Sequence, residues 1–188
     1  MKEDESWEVV DSTYVIDSKH LRLRKDSIVL PSGERIEDYY VRESRGYSVV
    51  FAVTPDDRVV LVREYKHGIG AGVLGLPAGS LDADETAAAC ARRELEEETG
   101  YIGDPQTPEH IATFLSEPTN SDGRFFLFLA RNARPIGTPA PDPTEHIVVE
   151  YATFDELHRY VRDGIIDVSP HVTAIYFVLD RLGKLNPS

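Results

Sequence analysis

The segment that most restricts this chain lies between Gly79 and Gly100, where an alanine-rich run over residues 85–99 ends in Arg93-Glu94-Leu95-Glu96-Glu97-Glu98-Thr99-Gly100. Its composition favours helix, and Gly100 suits the left-handed position that closes one. At about 100° of rotation per residue, Glu94, Glu97 and Glu98 fall within an arc of roughly 100° on one face. Ala88, Ala91 and Leu95 form the adjoining apolar stripe. That stripe must press on a sheet, so three carboxylates are held at the edge of a core. Like charges spaced i,i+4 weaken a helix by a few tenths of a kcal/mol, and burial adds to the cost. Two arrangements relieve it: a solvated acidic face paired with Arg92 and Arg93, or a hard divalent cation. Oxygen ligands grouped in this way suit Mg²⁺ or Mn²⁺ better than zinc.

The 188 residues suffice for one main core and a small appendage. From Trp7 to about Ser44 the chain reads as short extended segments, with Leu21 and Leu23 alternating against basic residues and Pro31-Ser32-Gly33 turning into a strand around Asp38. This predicts a small N-terminal antiparallel β region over residues 1–46 and a main domain over 47–188. Residues 47–53 and 58–65, separated by Pro55-Asp56-Asp57, predict a hairpin of two buried strands. Residues 111–116, 124–130 and 146–154 read as strands. A short helix follows over 155–163, stopped by Gly164, and a terminal helix begins at Pro170 with Ser169 as its N-cap. There is no regular βαβ beat, so the expected class is α/β of the α+β kind, a mixed β-sheet sandwiched between helices. Two connections are long. Residues 66–79 hold five glycines, and residues 132–144 hold Pro135, Pro139, Pro141 and Pro143. Each reads as a functional lid or as a surface excursion.

Composition closes several classes. With 33 acidic against 20 basic residues the net charge is -13, which repels phosphate backbones and argues against a nucleic-acid partner. An acidic protein still binds a polyphosphate when divalent cations bridge the two. Every apolar run is interrupted well short of the roughly 20 residues of a membrane span, and residues 1–10 lack the pattern of a signal peptide. A cytoplasmic, membrane-free protein is expected. The single cysteine, Cys90, excludes an internal disulfide and reads as a packing residue or as a border of the acidic face. Gly70-x-Gly72-x-x-Gly75 runs into Leu76-Pro77 instead of a helix, so it is no dinucleotide fingerprint. Ser48, Ser116 and Ser169 lack a nucleophile elbow. His67, His110, His146 and His171 show no ligand spacing and read as surface or loop residues. Trp7, Tyr39 and Tyr40 stack on an adenine or fill the β region, while Lys66, beside the glycine-rich connection, is a phosphate candidate.

The spacing Gly79, five residues, Glu85, seven residues, Arg93-Glu94-Leu95, one residue, Glu97-Glu98, one residue, Gly100 resembles the signature of the Nudix hydrolases, with Tyr101 where the pattern prefers an aliphatic residue. Val60 to Lys66 followed by Leu76-Pro77-Ala78-Gly79, and the tryptophan-led N-terminal region, look like the ADP-ribose pyrophosphatase branch, although that branch often has arginine at Lys66. The resemblance implies a Nudix-type sheet and a metal-dependent pyrophosphohydrolase that cleaves ADP-ribose or a related nucleoside diphosphate sugar to a nucleoside monophosphate and a sugar phosphate. Alternatives are another linkage, such as GDP-mannose, a dinucleoside polyphosphate or a nucleoside triphosphate, or a non-hydrolytic nucleotide sensor. It further implies that Glu94 and Glu98 are the main ligands of two or more Mg²⁺ or Mn²⁺ ions, with Glu97 and the Ala78 carbonyl assisting. Arg93 and Glu85 brace the motif, as do Gly79 and Gly100. Lys66, Arg63 and Trp7 are the implied substrate contacts. Glu145, at the end of the proline-rich connection, is the implied base, with Asp142 second and Glu97 as the alternative. A homodimer joined through residues 1–46 is also implied.

Overall fold

The computed structural model describes residues 6–142 and 144–185. The first five residues of the N-terminal region, and Pro143 of the proline-rich connection, lie outside them. Two compact units result, one reaching to Arg45 together with Leu115–Arg124, the other made of Gly46–Phe114 and the chain from Phe125 onward.

In the first unit β1 (Glu8–Asp17), β2 (Arg22–Val29) and β3 (Arg35–Glu43) form an antiparallel sheet in that order. The short segments around Leu23 and Ile28 are one strand, β2, irregular between Asp26 and Ile28 against β3. Asp26 is buried and is held by the Ser12 hydroxyl at 2.6 Å and by Arg24 Nε at 2.9 Å. Burial pushes its carboxyl up, but these two partners outweigh that and keep it below the usual range. The Leu115–Arg124 segment is tied to β3 and its exit: the Arg42 N–H donates to the Asn120 carbonyl and the Ser44 N–H to Asp122 Oδ1, at 2.9 and 2.8 Å.

The second unit begins with β4 (Tyr47–Ala52), β5 (Arg58–Lys66), β6 (Ala71–Gly75), β7 (Ala78–Ser80) and α1 (Ala87–Thr99). It continues through β8 (Tyr101–Ile102), β9 (Glu109–Leu115), β10 (Arg124–Ala130), β11 (Arg134–Pro135), β12 (Ile147–Thr153), α2 (Phe154–Arg162) and α3 (Ser169–Arg181). One sheet runs β7-β4-β10-β9 with β4 and β10 parallel, another runs β12-β5-β6, and β8 pairs with β11. On β4 and β10 successive side chains go to opposite sides, and both sides are buried. Val49, Phe51, Leu127 and Leu129 meet Ile175, Val178 and Leu179 of α3, while Val50, Ala52, Phe128 and Ala130 meet Ala91 and Leu95 of α1. The expected mixed α/β layering is therefore present, with α1 fixed by the apolar stripe beside its acids.

Several local expectations need correction. Residues 47–53 and 58–65 are largely strand but not a paired hairpin: β4 and β5 enter different sheets, and the chain between them is closed by the Val53–Val59 bridge and the bond from the Thr54 N–H to the Arg58 carbonyl. Strand β4 pairs with β7 and β10, and β5 with β6 and β12; of these, β10 and β12 lie far along the chain, which local pattern does not reveal. The glycine-rich connection is largely strand, β6 and β7, with a short turn in which Gly70 has φ +66°. Ser169 is not a cap; Val168 holds that position without a side-chain bond, and Ser169 is already helical. Helix α2 starts at Phe154, closed by a capping box between Thr153 and Glu156. The proline-rich connection contains β11 and is anchored, its Ile136 and Ala140 N–H groups donating to the carbonyls of Gly100 and Glu97 at 2.8 Å each. No described helix is long and apolar enough to cross a membrane.

Candidate active site

Helix α1 begins behind Thr86, whose hydroxyl accepts from the Ala89 N–H at 3.2 Å, and ends at Gly100, φ +72°, whose N–H donates to the Glu96 carbonyl at 2.8 Å. Gly100 answers a second demand as well, because a β-carbon there would lie 2.5 Å from the Gly137 carbonyl of the anchored connection. Between these ends the acids sort by depth. Glu94 and Glu98 are buried at 9% and 3% exposure, whereas the Glu97 side chain is 46% exposed.

Arg93 organises the nearer acids. It grips Glu85 with two bonds, Nε to Oε1 at 2.9 Å and Nη2 to Oε2 at 2.8 Å, and its Nη1 reaches Glu94 at 2.7 Å and Glu97 at 3.1 Å. This geometry uses the planar fork that distinguishes arginine from lysine. The bond from Arg93 holds the Glu85 carboxyl below the usual range. Burial raises Glu94, and the charge of Arg93 opposes the rise. Glu98 stands outside that network. Its Oε2 accepts the Ala78 N–H at 2.9 Å, yet burial, followed by the charge of Glu94, pushes its pKa up to about 9.

Gly79 is required by contact, since a β-carbon there would fall 2.0 Å from Glu94 Oε1. Cys90 is fully buried, its Sγ 3.4 Å from the Gly79 carbonyl, and burial lifts its thiol to about 11. It is a packing residue against the motif.

The other expected residues are placed unequally. Lys66 shares a small hollow of about 30 Å³ with Glu64, Ala78, Glu98 and His171, and it is ion-paired with Glu64. Arg63 lies one residue off that alternation and pairs with Glu150 at 2.6 Å. Burial is the main cause of the raised Glu94 and Glu98 carboxyls, and the charge of Glu145 is the smallest of the contributions; the Glu145 N–H donates to the Asp142 carbonyl at 2.8 Å. Asp142 caps the turn to Thr144. Trp7 belongs to the first unit, half exposed, edge-on to Tyr39 at 5.7 Å, and the Tyr39 hydroxyl donates to the Thr119 carbonyl. A larger cavity of about 750 Å³ runs along α1, walled by Arg92, Arg93, Glu96, Glu97 and the anchored connection near Gly137.

Sequence reasoning missed Glu64 and His171. Glu64 was accessible, because a two-residue period along β5 puts it on the side of Lys66. His171, expected on the surface or in a loop, is instead partly buried, and its Nδ1 accepts the Leu76 N–H at 3.0 Å. No pattern near His171 points there.

Among the described residues no three His, Cys, Asp or Glu side chains already stand together as a metal-binding group; Arg93 holds Glu94 and Glu97 instead. The donor chemistry still fits a divalent ion. Two carboxylates are buried side by side, and Glu98, the deeper, has no ion-pair partner among the described residues, a deficit that a hard cation corrects.

A family model described as the NUDIX domain matches residues 44–172. The chain belongs to the Nudix hydrolase family. The Nudix residues are preceded by a match over residues 7–41 to a model described as the nucleoside diphosphate sugar hydrolase N-terminal domain. Similar proteins include a methanol dehydrogenase activator of Bacillus methanolicus, 26% identical over 170 residues that cover 90% of each chain. The ADP compounds hydrolase NudE of Escherichia coli is 34% identical over 144 residues, 76% of this chain and 75% of that protein. An ADP-ribose pyrophosphatase of Bacillus subtilis is 30% identical over 116 residues, 62% of this chain and 61% of that one. The Nudix fold is shared with a crystal structure of an ADP compounds hydrolase, TM-score 0.82 at 20% identity, covering 98% of this chain and 100% of that one.

Proposed function

We propose that this Nudix enzyme hydrolyses the pyrophosphate of ADP-ribose or a related nucleoside diphosphate sugar, giving a nucleoside monophosphate and a sugar phosphate. The observation that carries the reading is the buried pair Glu94 and Glu98, set against Ala78 and braced through Arg93 and Glu85. The relatives that act on ADP-ribose and ADP compounds, and the match of residues 7–41 to a nucleoside diphosphate sugar hydrolase region, support the substrate class.

Glu94 and Glu98 are the main metal ligands, with Glu97 and the Ala78 carbonyl assisting, for two or more Mg²⁺ or Mn²⁺ ions. Bound there, divalent ions lower the pKa of water toward about 7 and offset charge that develops on the phosphate oxygens. Arg93 holds the Glu94 and Glu97 carboxylates in place, at 2.7 and 3.1 Å. Lys66 offers a point charge to the substrate phosphate once it exchanges Glu64 for it. Glu145 takes the proton of the attacking water as its oxygen bonds to one phosphorus and the bridging oxygen leaves with the other phosphate. Arg63 and Trp7 are assigned to the substrate's outer parts, Arg63 after release from Glu150.

The decisive experiment incubates the protein with Mg²⁺ or Mn²⁺ and a panel containing ADP-ribose, GDP-mannose, a dinucleoside polyphosphate and a nucleoside triphosphate, and identifies products by mass. AMP and ribose 5-phosphate are expected to form fastest, from ADP-ribose. Preferential turnover of another linkage would reassign the substrate, and no turnover with either metal would leave a nucleotide sensor.

The N-terminal sheet supports a homodimer. Strand β1 sits at the sheet edge and is exposed along its length, including Val9 at 55%, Tyr14 at 47% and Val15 at 54%. Exposed apolar edge strands seek pairing, and a second copy of this region supplies it. Light scattering at micromolar concentration is expected to return twice the 21.0 kDa chain mass, and replacing Val9 and Val15 by glutamate to return the monomer. A monomeric parent protein would rule the dimer out.

A further inference from the structure

Between β6 and β7 the chain leaves one sheet for another. Gly75 still pairs with Val62 and Ala78 already pairs with Val49, so Leu76 and Pro77 belong to neither ladder. The Pro77 carbonyl accepts the Val50 N–H at 2.9 Å, and proline brings no N–H of its own. Leu76 does bring one, and the residue is buried at 1% exposure. A buried amide without an acceptor is strongly disfavoured. The acceptor arrives from the far end of the chain, as His171 Nδ1 at 3.0 Å. The approach is close enough that a β-carbon on Gly75 would lie 2.9 Å from the imidazole ring. His171 is itself well anchored, being in the first turn of α3, whose Ile175, Val178 and Leu179 are fully buried.

We propose that His171 is a positioning residue, which fixes the crossing segment through the Leu76 N–H and thereby sets Ala78, whose own N–H holds Glu98 at 2.9 Å. The inference rests on the reading of Glu98 and Ala78 as metal-holding groups. The charged groups around the same hollow are Glu64, Lys66 and Glu98. Burial, with a smaller push from Lys66, brings the imidazole down to about 4. The ring is therefore neutral at ordinary pH, with its hydrogen on Nε2 and Nδ1 available to accept.

Three proteins test this: the parent, His171→Leu, which keeps bulk and removes the acceptor, and His171→Asn, whose Oδ1 can occupy the place of Nδ1. Mn²⁺ affinity is read by electron paramagnetic resonance of the free ion, without substrate, and kcat and KM are measured separately. Loss of an outer support to a metal site commonly costs about 10–100-fold in affinity or activity. His171→Leu is expected to weaken Mn²⁺ binding about tenfold or more and to lower kcat with little change in KM, while His171→Asn restores both to within about threefold of the parent. Parent-like Mn²⁺ affinity in His171→Leu, or equal damage in a folded His171→Asn, would overturn the proposal. Should His171→Leu fail to fold, the ¹⁵N–¹⁵N coupling across the hydrogen bond from Leu76 N to His171 Nδ1 is measured in the parent. Its presence, with parent-like Mn²⁺ affinity in His171→Asn, supports the assignment, and its absence defeats it. A parent protein that binds no Mn²⁺ would overturn the functional reading itself, an outcome distinct from failure of the variants.

Discussion

Replacing Glu98 with glutamine lowers turnover by at least about two orders of magnitude, the scale expected when a metal or charge-stabilising contact is lost from an active site. The same change spares the fold. In the absence of metal the Glu98 carboxyl is raised from the ordinary 4.5 to about 9, chiefly by burial. The folded protein therefore holds a proton that the unfolded chain releases. By linkage, its stability declines as pH rises from about 4.5 toward 9. Glutamine has no such proton, so Glu98→Gln should melt at or above the parent temperature at pH 8 and lose the advantage near pH 5. Added Mg²⁺ should raise the melting temperature of the parent, most at pH 8, and leave the variant less affected. Melting curves at both pH values with EDTA and with Mg²⁺ check the sign, and steady-state rates check the loss. Near-normal turnover in the variant would remove Glu98 from the ligand set.

Glu145→Gln carries the second large effect, a fall in kcat of about 10²–10⁴, the usual contribution of a general base. Metal affinity and KM should change little. Two observations place the expectation on Glu145 in preference to Glu97. Glu97 is engaged by Arg93 at 3.1 Å, so its carboxylate is already committed to an ion pair. Glu145 makes no ion pair among the described residues, and its charge adds, after burial and nearer charges, to the rise of Glu94 and Glu98. Rates measured at saturating Mg²⁺ settle the point, and an unchanged kcat in Glu145→Gln would return the role to Glu97.

What could be read from the chain beforehand was whatever local spacing encodes. The helix of the motif, its Gly100 terminus, the single acidic face and the brace from Arg93 all follow from residues within one or two helical turns, or from the short span back to Glu85. Depth was less accessible. Spacing places Glu94, Glu97 and Glu98 on one face, but only packing against β4 and β10 buries two of them and leaves the third half exposed. Strand pairing was least accessible, because β4 finds β10 and β5 finds β12 across long stretches of sequence, while the tight turn at Pro55-Asp56-Asp57 suggests a β4–β5 ladder that stops at the Val53–Val59 bridge. The glycines of β6 and β7 read as loop signals for a related reason. Gly75 and Gly79 are there because His171 and Glu94 come within van der Waals contact of the backbone, and neither neighbour is close in sequence. His171 shows the limit most plainly, since its role depends on a buried amide that exists only once two sheets have formed.

The pairing of β5 with β12, in which Glu64 lies opposite Ile147, has a consequence for the order in which the protein matures. During synthesis the chain emerges from its N-terminal end, so Glu94, Glu97 and Glu98 are all exposed to the cell's divalent ions before β12 and α3 have been made. At that stage β5 has no β12 to lie on and Leu76 has no imidazole to bond. A nascent chain therefore carries all three acids of the motif before the segment that bears Ile147 and His171 has been made. A product truncated before residue 147 would carry the motif's carboxylates but lack both the β12 that pairs with β5 and the imidazole that accepts the Leu76 N–H.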